Sequence, residues 1–233
     1  MLTLIMEKFK LMLDDMKRLY LNDPENAVRS KKMIGKLENF LKESIEDNLT
    51  DLGRKELLIK NELVLFQAEK EKNVDIALIH PINGPIITIG VRSQMSSVAK
   101  NTLTYYQDIE GECVGLQSRY PMSVHSYVYM HPKEIIAEGK LSKEKINHIK
   151  YARLFNSLGG RAKLNSLDYK SLIINKTAFD YFTYFLVDFK SNSINYKDNW
   201  SNDGIDNLST IDNLIKGIIK TTKERFHFKE YFK

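Results

Sequence analysis

The sequence predicts an α/β fold: a mixed central β-sheet flanked by helices and preceded by N-terminal helices. Three observations carry that expectation. Residues 74–80 and 85–92 are two β-prone runs separated by Pro81-Ile82-Asn83-Gly84, the pattern of a hairpin. Beyond them, helical spacing alternates with strand-like runs in the order helices, strand pair, helix, strand, helix, strand, helix, which places a sheet between helical layers. Finally, 42% of the 233 residues are hydrophobic, enough for one large domain or one core with a helical appendage.

Taken in order, residues 2–20 form an amphipathic helix, with Leu4, Ile5, Phe9, Leu11, Met12 and Met16 near helical spacing. A second helix spans 25–48. Asp23-Pro24-Glu25 opens it with proline at an early helical position, and Ile34, Leu37, Phe40, Leu41 and Ile45 mark its buried stripe. Asn48-Leu49-Thr50-Asp51 breaks the chain, with Thr50 or Asp51 capping a short helix. Residues 53–70 admit two readings, since Glu62–Phe66 is either a strand or the end of a helix running through Glu56.

After the hairpin, Met95, Val98, Ala99, Leu103, Tyr106, Ile109, Cys113 and Leu116 set a helix over 95–117, ended by Pro121. Val124–Met130 alternates as a strand and stops at Pro132. A helix over 142–158 takes Ser142 as its cap with Glu144 in its first turn, and Gly159-Gly160 terminates it. A last strand covers 181–188, residues 190–204 form a polar loop, and a cationic helix runs from Leu208 to Phe226. The chain divides into a helical region, 1–52, a candidate for dimerisation, and a core, 53–233.

Composition narrows the function classes. The net charge of +5 is compatible with a nucleic-acid partner, provided the charge is clustered in space. The single cysteine, Cys113, excludes an internal disulfide and a cysteine-based zinc site, and its apolar neighbours make it an inert thiol. His125, His131, His148 and His227 have no metal-ligand spacing. Glu7, Asp14 and Asp15 interrupt the first apolar segment, which is therefore neither a signal peptide nor a membrane span. The expected location is the cytoplasm, without a membrane partner.

The chemistry concentrates on the hairpin. Asp75 lies near the start of its first strand, and Arg92-Ser93-Gln94 ends the second. A carboxylate facing a basic group on the neighbouring strand is the frame of a metal-dependent phosphodiesterase site.

The residues here resemble a known family. The acid, the hairpin and the Ile-x-Val-basic-Ser-Gln strand end look like the PD-(D/E)xK nuclease fold of type II restriction endonucleases. The runs Val91–Asn101, Ile109–Pro121, Leu154–Arg161 and Phe185–Phe189 resemble successive segments of such enzymes, so the likeness covers about residues 60–190. It implies a bacterial, cytoplasmic, Mg²⁺-dependent enzyme that cuts double-stranded DNA at a short, palindromic site. It further implies a homodimer, with a cognate DNA methyltransferase encoded elsewhere.

The chain departs from the family pattern at its centre. Val74 stands where proline is usual, and Gly90-Val91-Arg92 replaces acid-x-Lys. The resemblance supplies the missing carboxylate from the following helix, as Glu112, with Glu110 as the fallback. Asp75, Glu112 and the Val91 carbonyl are then the expected metal ligands. Arg92, Gln94 or Lys100 stands in for the lysine. Arg92 is always protonated and stabilises phosphate charge without acting as a base. In one unbroken helix Lys100 and Glu112 are roughly 18 Å apart, so Lys100 ranks behind Arg92 and Gln94.

Ser93, Ser96, Ser97, Lys100, Asn101, Arg119 and Arg161 are the expected DNA contacts. Plainer roles stand beside these: a salt-bridged Arg92, a solvated Glu112, helix-capping serines, solvated loop arginines. The alternative at the level of the protein is a non-catalytic DNA-binding protein that kept the nuclease fold.

Overall fold

Six strands form one sheet whose spatial order is the order of the chain: β1 (Leu58–Phe66), β2 (Glu71–His80), β3 (Gly84–Ser93), β4 (Val124–Pro132), β5 (Tyr181–Asp188) and β6 (Asn195–Lys197). The structure is a computed structural model that describes residues 2–23, 26–27, 31–68, 70–134, 146–164, 169–174, 176–191 and 195–233. β1, β2 and β3 pair antiparallel as a meander. β3, β4 and β5 then run parallel, and β6 returns antiparallel at the edge. The expected mixed α/β architecture is what the chain adopts.

Among the described residues the α-helices are α1 (Leu2–Asn22), α2 (Lys31–Asp47), α3 (Asp51–Glu56), α4 (Val98–Arg119), α5 (His148–Asn156), α6 (Tyr169–Ile174) and α7 (Ile211–Phe226). One layer consists of α1, α2 and α7. Phe9, Leu13, Leu37, Leu41, Ile215 and Ile218 share a core there with Ile76, Ile87, Ile89, Val128 and Phe185 of the sheet. α4 and α5 cover the opposite face, where Ile109, Cys113 and Phe155 pack with Tyr127, Tyr129, Phe182 and Tyr184. Every residue of β4 is buried, and its side chains alternate between the layers: Val128 and Met130 into the first, Tyr127 and Tyr129 into the second. Residues 1–52 are thus no appendage; their described helices help build the main core.

Several boundaries differ from expectation for local reasons. The ambiguous 53–70 stretch splits into α3 and β1, with Thr50 as the cap of α3: its hydroxyl accepts from the Gly53 amide at 3.1 Å. β2 begins earlier than expected, at Glu71. α4 begins at Val98 rather than Met95, because Ser97 has left-handed backbone (φ +50°) that an α-helix cannot contain. α5 takes Asn147 as its cap, its side chain accepting from the Lys150 amide; the expected cap Ser142 and Glu144 lie outside the described residues, as does the Pro24-Glu25 start expected for the second helix. Within the loop expected at 190–204, Asn195–Lys197 adds a short strand. α7 begins at Ile211 after its cap Thr210, since Leu208 bridges to Phe182 instead.

Candidate active site

The middle of β2 and the end of β3 build the site. Pairing between these strands reaches from the turn, at His80↔Gly84, to Ile76↔Ile89. Just beyond it, Asp75 accepts a hydrogen bond from the Val91 backbone N–H at 2.7 Å. The side chain takes the place of a ladder partner, which fixes the carboxylate against β3. On the other side, Glu62 of β1 lies between the paired positions Asn61↔Ile76 and Leu63↔Val74 and has φ +52°, so β1 is irregular opposite Asp75.

Gly90 lies directly beneath the Tyr127 ring. A Cβ there would stand 2.4 Å from Cε2 of Tyr127. The space in which the family pattern would place a carboxylate is filled by an aromatic ring from β4.

Glu112 projects from the buried side of α4 and binds the Lys72 ammonium at 2.7 Å. Gln67 donates to the Glu112 carbonyl at 3.2 Å, tying this turn of α4 to the β1–β2 connection. Burial raises the Glu112 carboxyl above the usual range; Lys72 and Arg92 oppose the rise and Asp75 adds to it. Burial likewise raises Asp75, against the Val91 amide, Lys72, Lys31 and Arg92. A third carboxylate, Glu38 of α2, is only 8% exposed and is raised by burial and by the charge of Asp75. The Asp75 charge acts on both Glu38 and Glu112, while Lys72 and Arg92 act on Asp75 and Glu112 with the opposite sign. The Arg92 guanidinium sits 4.2 Å from the centre of the Tyr105 ring, with the Tyr127 hydroxyl also beside it.

Compared with family models, curated proteins and solved structures, the chain matches none.

The other expected residues separate by environment. Gln94 is 4% exposed, and its amide is fully used. Its oxygen accepts from the Tyr129 hydroxyl at 2.6 Å and from Thr102 and faces His131 Nε2 at 3.0 Å, while its nitrogen donates to the Ser97 and Val98 carbonyls. It braces the turn into α4 and offers nothing to a phosphate. Lys100 occupies the first turn of an unbroken α4, so it and Glu112 are roughly 18 Å apart along the axis and cannot share a site.

Ser93, Ser96, Ser97, Lys100 and Asn101 do gather where β3 hands over to α4; Ser96, Ser97 and Lys100 are exposed, and Ser97 makes no side-chain cap. Arg119, exposed, stands at the far end of that helix. Arg161 corrects the expectation of a DNA contact. It is 1% exposed and binds the buried Asp180 at 3.0 Å, the Pro121 carbonyl and the Leu172 carbonyl.

Sequence reasoning missed Glu38 and Lys72. Glu38 carries a readable signal, because it falls on the buried stripe of α2, four residues after Ile34 and three before Leu41. Lys72 carries none, since its reach to Glu112 depends on how α4 crosses the β1–β2 hairpin. The Cys113 thiol is fully buried and pushed up by that burial, as befits an inert side chain.

Among the described residues, no three His, Cys, Asp or Glu side chains are close enough to ligate one ion. The donor set nevertheless suits Mg²⁺, a hard cation that takes a few carboxylate oxygens and keeps several waters. A divalent ion held by Asp75 and Glu112 would offset the burial that raises both carboxyls and the Asp75 charge that adds to the rise of Glu112.

Proposed function

We propose that this chain is a Mg²⁺-dependent endonuclease of the restriction-endonuclease-like fold, hydrolysing phosphodiester bonds in double-stranded DNA at a short, palindromic site. One observation carries the reading: a strand carboxylate pinned to the neighbouring strand beside a helix-borne carboxylate, with Lys72 and Arg92 at its border. Asp75 and Glu112 would hold the ion, with the Val91 carbonyl as a third oxygen. Bound there, Mg²⁺ supplies a water nucleophile and charge neutralisation at the phosphate.

The chain's own groups act around that centre. The Val91 amide keeps one Asp75 oxygen oriented. Lys72 holds Glu112 in place and offsets its charge. Arg92, steadied by Tyr105, faces the developing negative charge of the phosphate. The exposed serines and Lys100 at the start of α4 hold the DNA backbone. A bacterial cytoplasmic location, a homodimer and a cognate methyltransferase complete the proposal.

The second reading is a DNA-binding protein without catalysis, favoured by the Tyr127 ring over Gly90. Digestion of a fully sequenced DNA with Mg²⁺, against an EDTA control, separates the two. Discrete, metal-dependent fragments that vanish in the Asp75→Ala, Glu112→Ala double variant support the nuclease. Intact DNA across several substrates, with binding retained, moves the conclusion to the second reading.

A further inference from the structure

The outer face of α1 carries a pattern unrelated to the core. Ile5, Phe9, Met12, Leu13, Met16 and Tyr20 are buried on its inner side. Opposite them stand Leu11, 66% exposed, and Leu21, 49% exposed, with Asp14 and Arg18 between. The Arg18 side chain is 77% exposed. Steps of three, four and three residues keep these side chains within roughly 80° of arc, the spacing of a helix–helix seam. Among the described residues Asp14 has no ion-pair partner, and Arg18 reaches only Asp15, at 3.7 Å.

We propose that this face pairs two copies of the chain, their α1 helices antiparallel about a two-fold axis midway between Asp14 and Arg18. Leu11 of each copy then meets Leu21 of the other, and Asp14 meets Arg18, twice over by symmetry. The register is singular. Sliding by one turn in either direction sets Asp14 against itself or Arg18 against itself, and three-residue slips set Leu11 against Arg18 or Leu21 against Asp14. A parallel pair would oppose like charges at both positions.

The surface lies away from the candidate active site. α1 packs its Phe9 ring on Phe185 and Tyr196, at 5.6 and 5.0 Å, which is the β5–β6 side of the sheet. Asp75, on β2, is three strands away, about 14 Å across the sheet. Pairing through α1 therefore leaves the carboxylates and the start of α4 open. This surface names the partner contact for the proposed homodimer and rests on that reading only for the need of a partner; its complementarity does not require catalysis. A single helix pair is a small interface, so the association falls on the order of micromolar.

Sedimentation equilibrium of the full chain over a concentration series tests it. Wild type is expected to show a reversible monomer–dimer equilibrium. Asp14→Arg and Arg18→Asp should each weaken it by about tenfold or more, and an equimolar mixture of the two should restore it, because each variant then meets its opposite charge. Leu11→Ser, which removes no charge, should weaken pairing as well and serves if a charge reversal fails to fold. A wild type that stays monomeric, single variants that dimerise as wild type does, or a mixture that remains monomeric would overturn the pairing. Mg²⁺-dependent cleavage measured on the same samples keeps the readings apart: cleavage by a persistent monomer ends this inference alone, whereas a dimer without cleavage keeps it and ends the nuclease.

Discussion

Asp75 serves backbone and site at once: one oxygen accepts from Val91 while the carboxylate faces Glu112 and Glu38. Asp75→Ala should therefore abolish the proposed cleavage and also cost about 1–3 kcal/mol in urea unfolding, because the Val91 amide loses its acceptor. Asp75→Asn keeps an acceptor oxygen and should lose cleavage with a much smaller stability cost. His125 gives a second prediction. Its Nε2 lies 2.9 Å from the Tyr120 carbonyl, which only accepts, so Nε2 carries the proton and Nδ1 accepts from Thr88 at 2.7 Å. Burial lowers its pKa from 6.5 to about 4, against the pull of that carbonyl and of Asp180. The neutral ring's contribution is complete above pH 6.5 and falls by about 3 kcal/mol as the pH drops to about 4. Urea unfolding of wild type and His125→Gln should show the gap between them narrowing by that amount over this window. Asp75, Arg92 and Glu112 drew notice in the sequence as charged residue types on two β-prone runs and a helical one. The fates of Gln94 and Arg161 were not, because only the fold reveals that a polar side chain is fully occupied underground.

At the scale of elements, alternation and helical spacing located β3, α4, β4 and β5 because each has a periodic apolar face long enough to read. β5 falls on the expected 181–188. β1 was ambiguous since its burial is shallow, alternating between exposed and intermediate along an edge strand until Leu65, its one buried residue. β6 is three residues long, held by pairing to β5 rather than by any pattern of its own. α3 is likewise secured from outside. The C-terminal segment docks on it through Thr50 N–H to the Tyr231 carbonyl and Lys233 N–H to the Asn48 carbonyl, with Leu49 bridging to Phe232. A Cβ at Gly53 would lie 2.2 Å from the Tyr231 carbonyl oxygen. Gly53→Ala should thus push the tail away and cost about 1–3 kcal/mol, read by thermal melting, even though alanine is the better helix former.

Across the whole molecule, one buried charge joins parts that are distant in sequence. Asp180, just before β5, binds Arg161 and Arg225 of α7 with side chains that are all inaccessible, and it accepts from the His125 amide of β4. Burial works to raise its carboxyl, but the two guanidinia hold it below the usual carboxylate range. Asp180→Ala would strand two arginines without a counter-charge, an expected loss of about 3–5 kcal/mol in denaturant unfolding. The shared core of α1, α2 and α7 over the sheet has the same integrating effect on the apolar side. No helix among the described residues is long and apolar enough to cross a membrane. The sequence suggested a division at residue 52 through a change of pattern; the shared core was not visible there, since a helix stripe does not say which sheet it will cover.

The ring of Tyr127 resting on Gly90 has an evolutionary meaning. Neither position is free to vary alone: a side chain at 90 collides with the ring, and a smaller residue at 127 leaves an unfilled hole above the glycine. A lineage that acquired an acid at position 90 would have to shrink position 127 in company with it. The two sites should consequently change together, as a coupled pair.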